Sequence, residues 1–250
     1  MGWSPLTDTI VGYGERSPSD TGEFASLPVV VADQDVTGLV VVTSSGATAT
    51  GRIVFEEGAK PDARVFVRTA ATSPGAAFTN TSVGVEPDLT FTATRLIERR
   101  TFGLGQPPEG WFLKSVTHKG VDITDSGYDF KPGEQVSGIQ ILLTRRATTL
   151  TGTVQDDRGD PIGDYTVVAF SSDRNKWGYL TRFVRSVRPD QDGRFTLRGL
   201  PADDYLVVAL EYLESGQEFD PEQLRAWEPG ATKVALGEGA PQSVTLKLPR

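Results

Sequence analysis

A single histidine, His118, and the absence of cysteine bound the chemistry open to this chain. A zinc hydrolase site of two histidines and a carboxylate cannot be built on one imidazole. Thiolate metal sites, cysteine nucleophiles and disulfides are excluded with the cysteines. A Ser-His-Asp triad would have to use His118, which stands in the turn-like Thr117-His118-Lys119-Gly120, and no G-x-S-x-G elbow accompanies it. His118 therefore reads as an exposed turn residue. Carboxylates are plentiful, with 33 Asp and Glu against 25 Lys and Arg, so acid pairs for glycoside hydrolysis can be picked out almost anywhere. Asp156-Asp157 and Asp203-Asp204 read as solvated turn acids. Asp190-Gln191-Asp192-Gly193 opens like a calcium loop, but EF-hand spacing then demands an oxygen ligand at Arg194 and a glutamate at Pro201. That loop is excluded, and a hairpin turn is the plainer reading.

Binding character is concentrated in Arg174 to Arg188, RNKWGYLTRFVRSVR, a basic strip in a chain of net charge -8. Trp177 and Tyr179 offer flat stacking surfaces, and Arg182, Arg185 and Arg188 offer donors for a carboxylate, sugar or phosphate. These five are the candidate ligand-binding residues. The competing and favoured reading is structural: Trp177 caps a core, and the basic residues pair with Glu211, Glu214, Glu218, Asp220 and Glu222. Trp111 and Trp227 likewise read as core. No metal site, cofactor or catalytic residue is expected. The acidic balance argues against nucleic acid as a partner, and no apolar run approaches the roughly 18 to 20 residues of a membrane helix. The first twenty residues lack the blocks of a signal peptide, and Leu6 stands where a myristoylation signal wants Ser or Thr.

The elements that must position these residues are strands. Gly 27 and Pro 16 imply frequent turns. In Asp190 to Leu210, Asp192-Gly193 favours a tight turn, Phe195 and Leu197 alternate with Thr196 and Arg198, and Gly199-Leu200-Pro201 ends that strand. Tyr205 to Leu210 is apolar on both faces, as in a strand covered on both sides. One helix is signalled: Asp220 as N-cap, Pro221 at the first position, Gln223 completing a box-like pair, and Phe219 with Leu224 as a staple, with Pro229-Gly230 as the stop.

A weak repeat of about 100 residues organises the whole. Val36-Thr37-Gly38-Leu39-Val40-Val41-Val42-Thr43 followed by Ala47 to Val54 returns as Val136 to Thr144 followed by Ala147 to Val154, and Ser243 to Leu248 resembles the closing strand a third time. Each unit closes on a V-x-G-h-x-h-h-h-T strand (h, apolar), and the next opens on an A-T…G-x-h-V strand. The expected division is a partial sandwich at 1–46, with Val29-Val30-Val31 standing where Tyr128-Asp129-Phe130 stands later, a first sandwich at 47–146 and a second at 147–250. On this phase the leading piece lacks its first half, and the chain is expected to be part of a longer array or to start inside a domain.

Leu150-Thr151-Gly152-Thr153-Val154, Asp157 to Ile162, Tyr165 to Phe170, Asp192-Gly193-Arg194-Phe195 and Gly199-Leu200-Pro201…Tyr205-Leu206-Val207 together resemble the bacterial carboxypeptidase regulatory-like domain. The match is close in the second unit. The first opens similarly on Gly51 to Phe55 but lacks the D-G-x-F and G-L-P-x-x-x-Y signals. The resemblance implies an all-β chain of tandem transthyretin-like (Ig-like, prealbumin-like) β-sandwiches, with one short helix in the second unit. It implies a non-catalytic accessory module of an exported or cell-surface protein, whose partners are other domains of a larger parent and a surface protein or glycan, with no membrane insertion. Related adhesin modules carry a Lys–Asn isopeptide bond, but neither Asn80 nor Asn175 lies in a closing strand.

Overall fold

A computed structural model describes residues 7–10, 22–23, 25, 27–30, 35–56, 63–72, 81–156, 158–178 and 181–248. The chain divides into two compact units: Met1–Val54, Lys60–Pro108 and Ser115–Leu142 against Phe55–Ala59, Glu109–Lys114 and Leu143–Arg250. It is all-β, with one short helix in the second unit.

In the earlier part of the chain lie β1 (Thr7–Ile10), β2 (Leu27–Val30), β3 (Ala47–Phe55), β4 (Phe66–Ala71), β5 (Thr81–Gly84), β6 (Thr90–Leu96), β7 (Glu98–Leu104), β8 (Phe112–His118), β9 (Val121–Asp122), β10 (Tyr128–Phe130) and β11 (Gln135–Thr144). β1 and β2 make a two-stranded antiparallel sheet, Thr7 opposite Val30 and Ile10 opposite Leu27. The others form two sheets, β10-β7-β4-β5 and β6-β3-β11-β8-β9. Alternation along the strands explains the layering. β11 buries Val136, Ile139, Ile141 and Leu143 while Gln135, Ser137 and Gln140 face water. Phe91 of one sheet meets Phe102 of the other, ring centroids 6.2 Å apart, and Phe102 meets Phe130 at 6.1 Å.

The second sandwich contains β12 (Thr149–Gln155), β13 (Pro161–Ile162), β14 (Thr166–Ser171), β15 (Val184–Val187), β16 (Arg194–Arg198), β17 (Asp203–Leu210), α1 (Pro221–Trp227), β18 (Thr232–Leu236) and β19 (Pro241–Lys247). Its sheets are β13-β12-β16, with β19 added in parallel on β12, and β15-β14-β17-β18. In the second sheet Val167 faces Ala209 and Ala169 faces Val207, and these four point into the sandwich core with Leu150, Phe195 and Leu246. Val168 opposite Val208 and Phe170 opposite Leu206 point the other way, against Leu224 of α1. Apolar residues on both faces of β14 and β17 thus reflect a sandwich partner on one side and a helical cover on the other. In α1, Asp220 caps as expected, accepting from the Glu222 N–H at 2.9 Å, and Phe219 and Leu224 share one apolar cluster. The box with Gln223 does not form. Gln223 instead accepts from the Gln217 side chain, and the Asp220 N–H donates to the Gln217 carbonyl.

The repeat is visible atom by atom. The Asp190 N–H donates to the Arg194 carbonyl and the Gly193 N–H to the Asp190 carbonyl; earlier, the Glu86 N–H donates to the Thr90 carbonyl and the Leu89 N–H to the Glu86 carbonyl. The first unit therefore keeps the turn although it lacks the D-G-x-F signal, and Leu89 holds φ 70° where Gly193 holds 69°. Arg95 at φ 62°, followed by fully buried Leu96, likewise stands for Gly199 at φ 75°, followed by buried Leu200. One expected strand is absent. Val36 to Thr43 has no strand assignment and is exposed, because no opening strand lies beside it among the described residues.

Candidate functional site

The basic strip is built on the exit from β14. Ser171, fully buried at the end of that strand, accepts the Asp173 N–H at 3.0 Å, and the Asp173 carboxylate accepts the Asn175 N–H at 3.0 Å. The chain from Arg174 to Lys176 thereby closes into a single 3-10 turn. The turn directs three side chains back onto the fold. Trp177 donates its indole N–H to the Ser171 carbonyl at 2.6 Å, packs edge-on against Phe170 with centroids 5.6 Å apart, and joins the apolar cluster under α1. Lys176 Nζ lies 2.8 Å from Asp203 Oδ2, which also accepts from the Ser171 hydroxyl at 2.8 Å. Arg174 donates through Nε and NH2 to one Glu228 oxygen, at 3.2 and 2.7 Å.

The pairing differs from expectation in its partners. Glu228 and Asp203 take the basic residues, while Glu218 accepts from the Ser186 hydroxyl at 3.1 Å. Asp203 is no solvated turn acid. It opens β17 with a side chain 17% exposed; burial pushes its carboxyl up, but hydrogen bonds from Lys176 and Ser171 outweigh burial and hold it below the usual carboxylate range.

Among the described residues, Arg182, Arg185 and Arg188 take different places. Arg182, its guanidinium 5.3 Å from the Phe183 ring centre, lines a cleft of about 250 Å³ together with Lys176, Phe183, Leu200 and Pro201. Arg188 lines a separate hollow of about 310 Å³ with Thr166, Ser186, Leu213 and Glu218. Arg185 stands exposed on edge strand β15, opposite Ala169. Trp177 lines neither hollow. Tyr179 lies outside the described residues, as do Asp157 and Asn80.

The other candidates serve the fold. Asp190 Oδ1 accepts the N–H groups of Asp192 and Arg194, both at 2.9 Å, and Asp156 Oδ1 accepts those of Arg158 and Asp160 at 2.8 and 2.9 Å. Each carboxylate closes its own turn. His118 is not an exposed turn residue. It ends β8, only partly exposed, with its ring edge-on to Tyr128 at 5.1 Å and its buried Nε2 without a hydrogen bond among the described residues. Tyr128 in turn donates to Glu134 at 2.8 Å; this hydrogen bond, followed by burial, pushes its hydroxyl up. Among the described residues no group of three His, Cys, Asp or Glu is placed to hold a metal ion. Sequence reasoning missed Arg100, fully buried in β7, which donates to the Ile97 carbonyl at 3.0 Å and the Thr69 hydroxyl at 3.3 Å; burial lowers its pKa. Its only signal was a basic residue in phase with the inward-facing Phe102.

The sequence landmarks of the second sandwich now have structural roles. The Tyr205 hydroxyl donates to the Pro201 carbonyl at 3.0 Å, tying the start of β17 to the G-L-P corner. Tyr165 donates to the Gly193 carbonyl at 2.9 Å, and Thr148 to the Leu200 carbonyl at 2.6 Å. Residues 149–249 match the carboxypeptidase regulatory-like domain. Within that stretch the Tyr165 and Tyr205 hydroxyls hold corners of the sandwich.

No curated protein matches the chain. Among solved structures it is similar to the TIE protein of Bacillus anthracis, with 12% identity over 97% of this chain and 41% of that one and a TM-score of 0.29. It is also similar to a streptococcal ancillary pilin, with 12% identity over 97% and 75% and a TM-score of 0.32, and to the shaft pilin SpaA from Lactobacillus rhamnosus GG, with 10% identity over 81% and 97% and a TM-score of 0.30. Among the described residues no helix is long and apolar enough to cross a membrane.

Proposed function

We propose that the chain is a non-catalytic accessory module of an exported, multidomain bacterial surface protein, acting as a spacer and protein-interaction unit. The carrying observation is the match of residues 149–249 to a regulatory-like domain whose diagnostic residues hold corners and turns. Its working units on this reading are the sandwiches at 47–146 and 147–250, following the partial one at 1–46. Force spectroscopy of the chain held by its ends tests the tandem. Two separate events, each releasing about 100 residues or roughly 350 Å of chain, are expected. A single event of twice that length would overturn it. A panel of ester, peptide and glycoside substrates is expected to show no turnover; hydrolysis abolished by His118→Ala would overturn the non-catalytic reading.

The rival proposal is carbohydrate or peptide binding by Trp177, Tyr179, Arg182, Arg185 and Arg188. What supports it is Arg182, which lines a cleft with an apolar wall. A glycan array separates the two, since binding lost in Arg182→Ala would establish the rival.

A further inference from the structure

Val36 to Thr43 reproduces the closing strand β11 in sequence and in the backbone angle of its glycine. Gly38 has φ 74° and Gly138, its counterpart, 83°. Burial is opposite. Val136, Ile139 and Ile141 are 4%, 0% and 0% exposed, whereas Val36, Leu39 and Val41 are 42%, 47% and 58% exposed. Val40 and Val42 reach 78% and 79%. Among the described residues the stretch makes no backbone hydrogen bond; its recorded bond is from the Thr43 hydroxyl to Glu23. An exposed apolar segment whose N–H and C=O groups meet no backbone partner among the described residues is a template for another strand.

What covers such a strand is present twice in the same chain. β11 lies beside the opening strand β3, and β19 lies beside the opening strand β12, in parallel from Thr149 opposite Pro241 to Gln155 opposite Lys247. Both opening strands place a glycine against a carbonyl of the closing strand. A Cβ on Gly51 would stand 2.3 Å from the Ile139 oxygen, and one on Gly152 2.1 Å from the Val244 oxygen. The carbonyl of Leu39 is the repeat equivalent of Ile139. A second copy of this chain cannot supply the missing strand, because its opening strands β3 and β12 are already taken.

We propose that residues 36–43 are a docking strand that receives, in parallel, an A-T-x-x-G-x-h-V opening strand from a further repeat unit outside this chain. The inference deepens the interaction-module reading and rests on it. The test adds a synthetic peptide of residues 47–55, ATATGRIVF, to the full chain and follows hydrogen exchange at 36–43 by mass spectrometry. Exchange there is expected to slow about tenfold or more. A peptide carrying the equivalent of Gly51→Ala is expected to have no effect, because its methyl meets the Leu39 carbonyl. Val41→Asp in the chain is expected to abolish the slowing while leaving its melting unchanged, since Val41 is exposed. No slowing at saturating peptide, equal slowing by the alanine peptide, or protection that grows with chain concentration alone would each overturn the proposal. Any of these leaves the force trace and the substrate panel untouched, so failure here is separable from failure of the module reading.

Discussion

Gly152→Ala is expected to destabilise the second sandwich by about 2–3 kcal/mol, through a collision that the backbone cannot avoid. The new methyl would stand 2.1 Å from the Val244 carbonyl oxygen and 2.7 Å from two ring atoms of Phe195. Carbon and oxygen in a close sheet contact sit about 3.3 Å apart, so β12 and β19 must separate by roughly 1 Å. Gly152 is paired with Phe195 of β16 on one side and Val244 of β19 on the other, which leaves β12 no free direction. Overpacking of this kind costs about 1–3 kcal/mol and occasionally more, and a backbone obstacle belongs at the upper end. Replacing glycine returns about 0.5–1 kcal/mol of chain entropy, which sets the net figure. In a unit of this size, that corresponds to a fall of roughly 8–20 °C in melting temperature. Calorimetry of the whole chain reads it, with Gly51→Ala as the partner variant that directs the same collision, 2.3 Å from the Ile139 oxygen, into the first sandwich. A shift below about 3 °C for Gly152→Ala would refute the steric account.

Leu89→Gly is expected to raise stability by about 0.5–1 kcal/mol, because Leu89 holds a left-handed φ of 70° that costs an L-residue about 1–2 kcal/mol and glycine little. A higher urea midpoint with unchanged slope checks it, and Leu89→Ala should bring no gain. Asp203→Asn is expected to cost about 1–3 kcal/mol at neutral pH, because the amide oxygen can still accept but no longer carries the charge that Lys176 pairs with. Because the folded Asp203 pKa lies below the unfolded value near 3.9, its contribution is present above that value and is lost as pH falls through the folded one; melting against pH should fall less steeply there in the variant. Trp177→Ala is expected to destabilise by about 2–3 kcal/mol in chemical denaturation, since the ring packs on Phe170 and under α1. Unchanged stability would return Trp177 to the role of a ligand platform.

Features governed by neighbours in sequence were legible. The Asp190 turn and the Asp220 cap rest on side chains that bond backbone groups two to four residues away, so their chemistry is written locally. The period of two marked β16 for the same reason. What escaped depends on long-range partners. Val36 to Thr43 has the composition of a buried strand, yet a strand exists only where another lies beside it. Asp203 looked like any turn acid until Lys176, 27 residues away, folded onto it. The surroundings of the basic strip were equally hidden, because the contacts of Trp177 under α1 and of Arg182 in its cleft come from residues distant in sequence.

The two sandwiches also show which repeat positions can drift, and energy explains the difference. At the turn positions the second unit has Gly193 and Gly199 where the first has Leu89 and Arg95, with nearly the same backbone angles. A non-glycine residue there costs about 1–2 kcal/mol, a sum that a domain of ordinary stability absorbs. At the strand position both units keep glycine, Gly51 and Gly152, because a side chain would strike a carbonyl between two paired strands. Relief there requires parting the sheet, and with it the hydrogen bonds that seat the closing strand. The D-G-x-F signal could therefore vanish from the first unit without the turn it marks, whereas the glycine of the opening strand is bound to the pairing itself. By the same reasoning, any strand that docks on residues 36–43 must carry that glycine opposite Leu39.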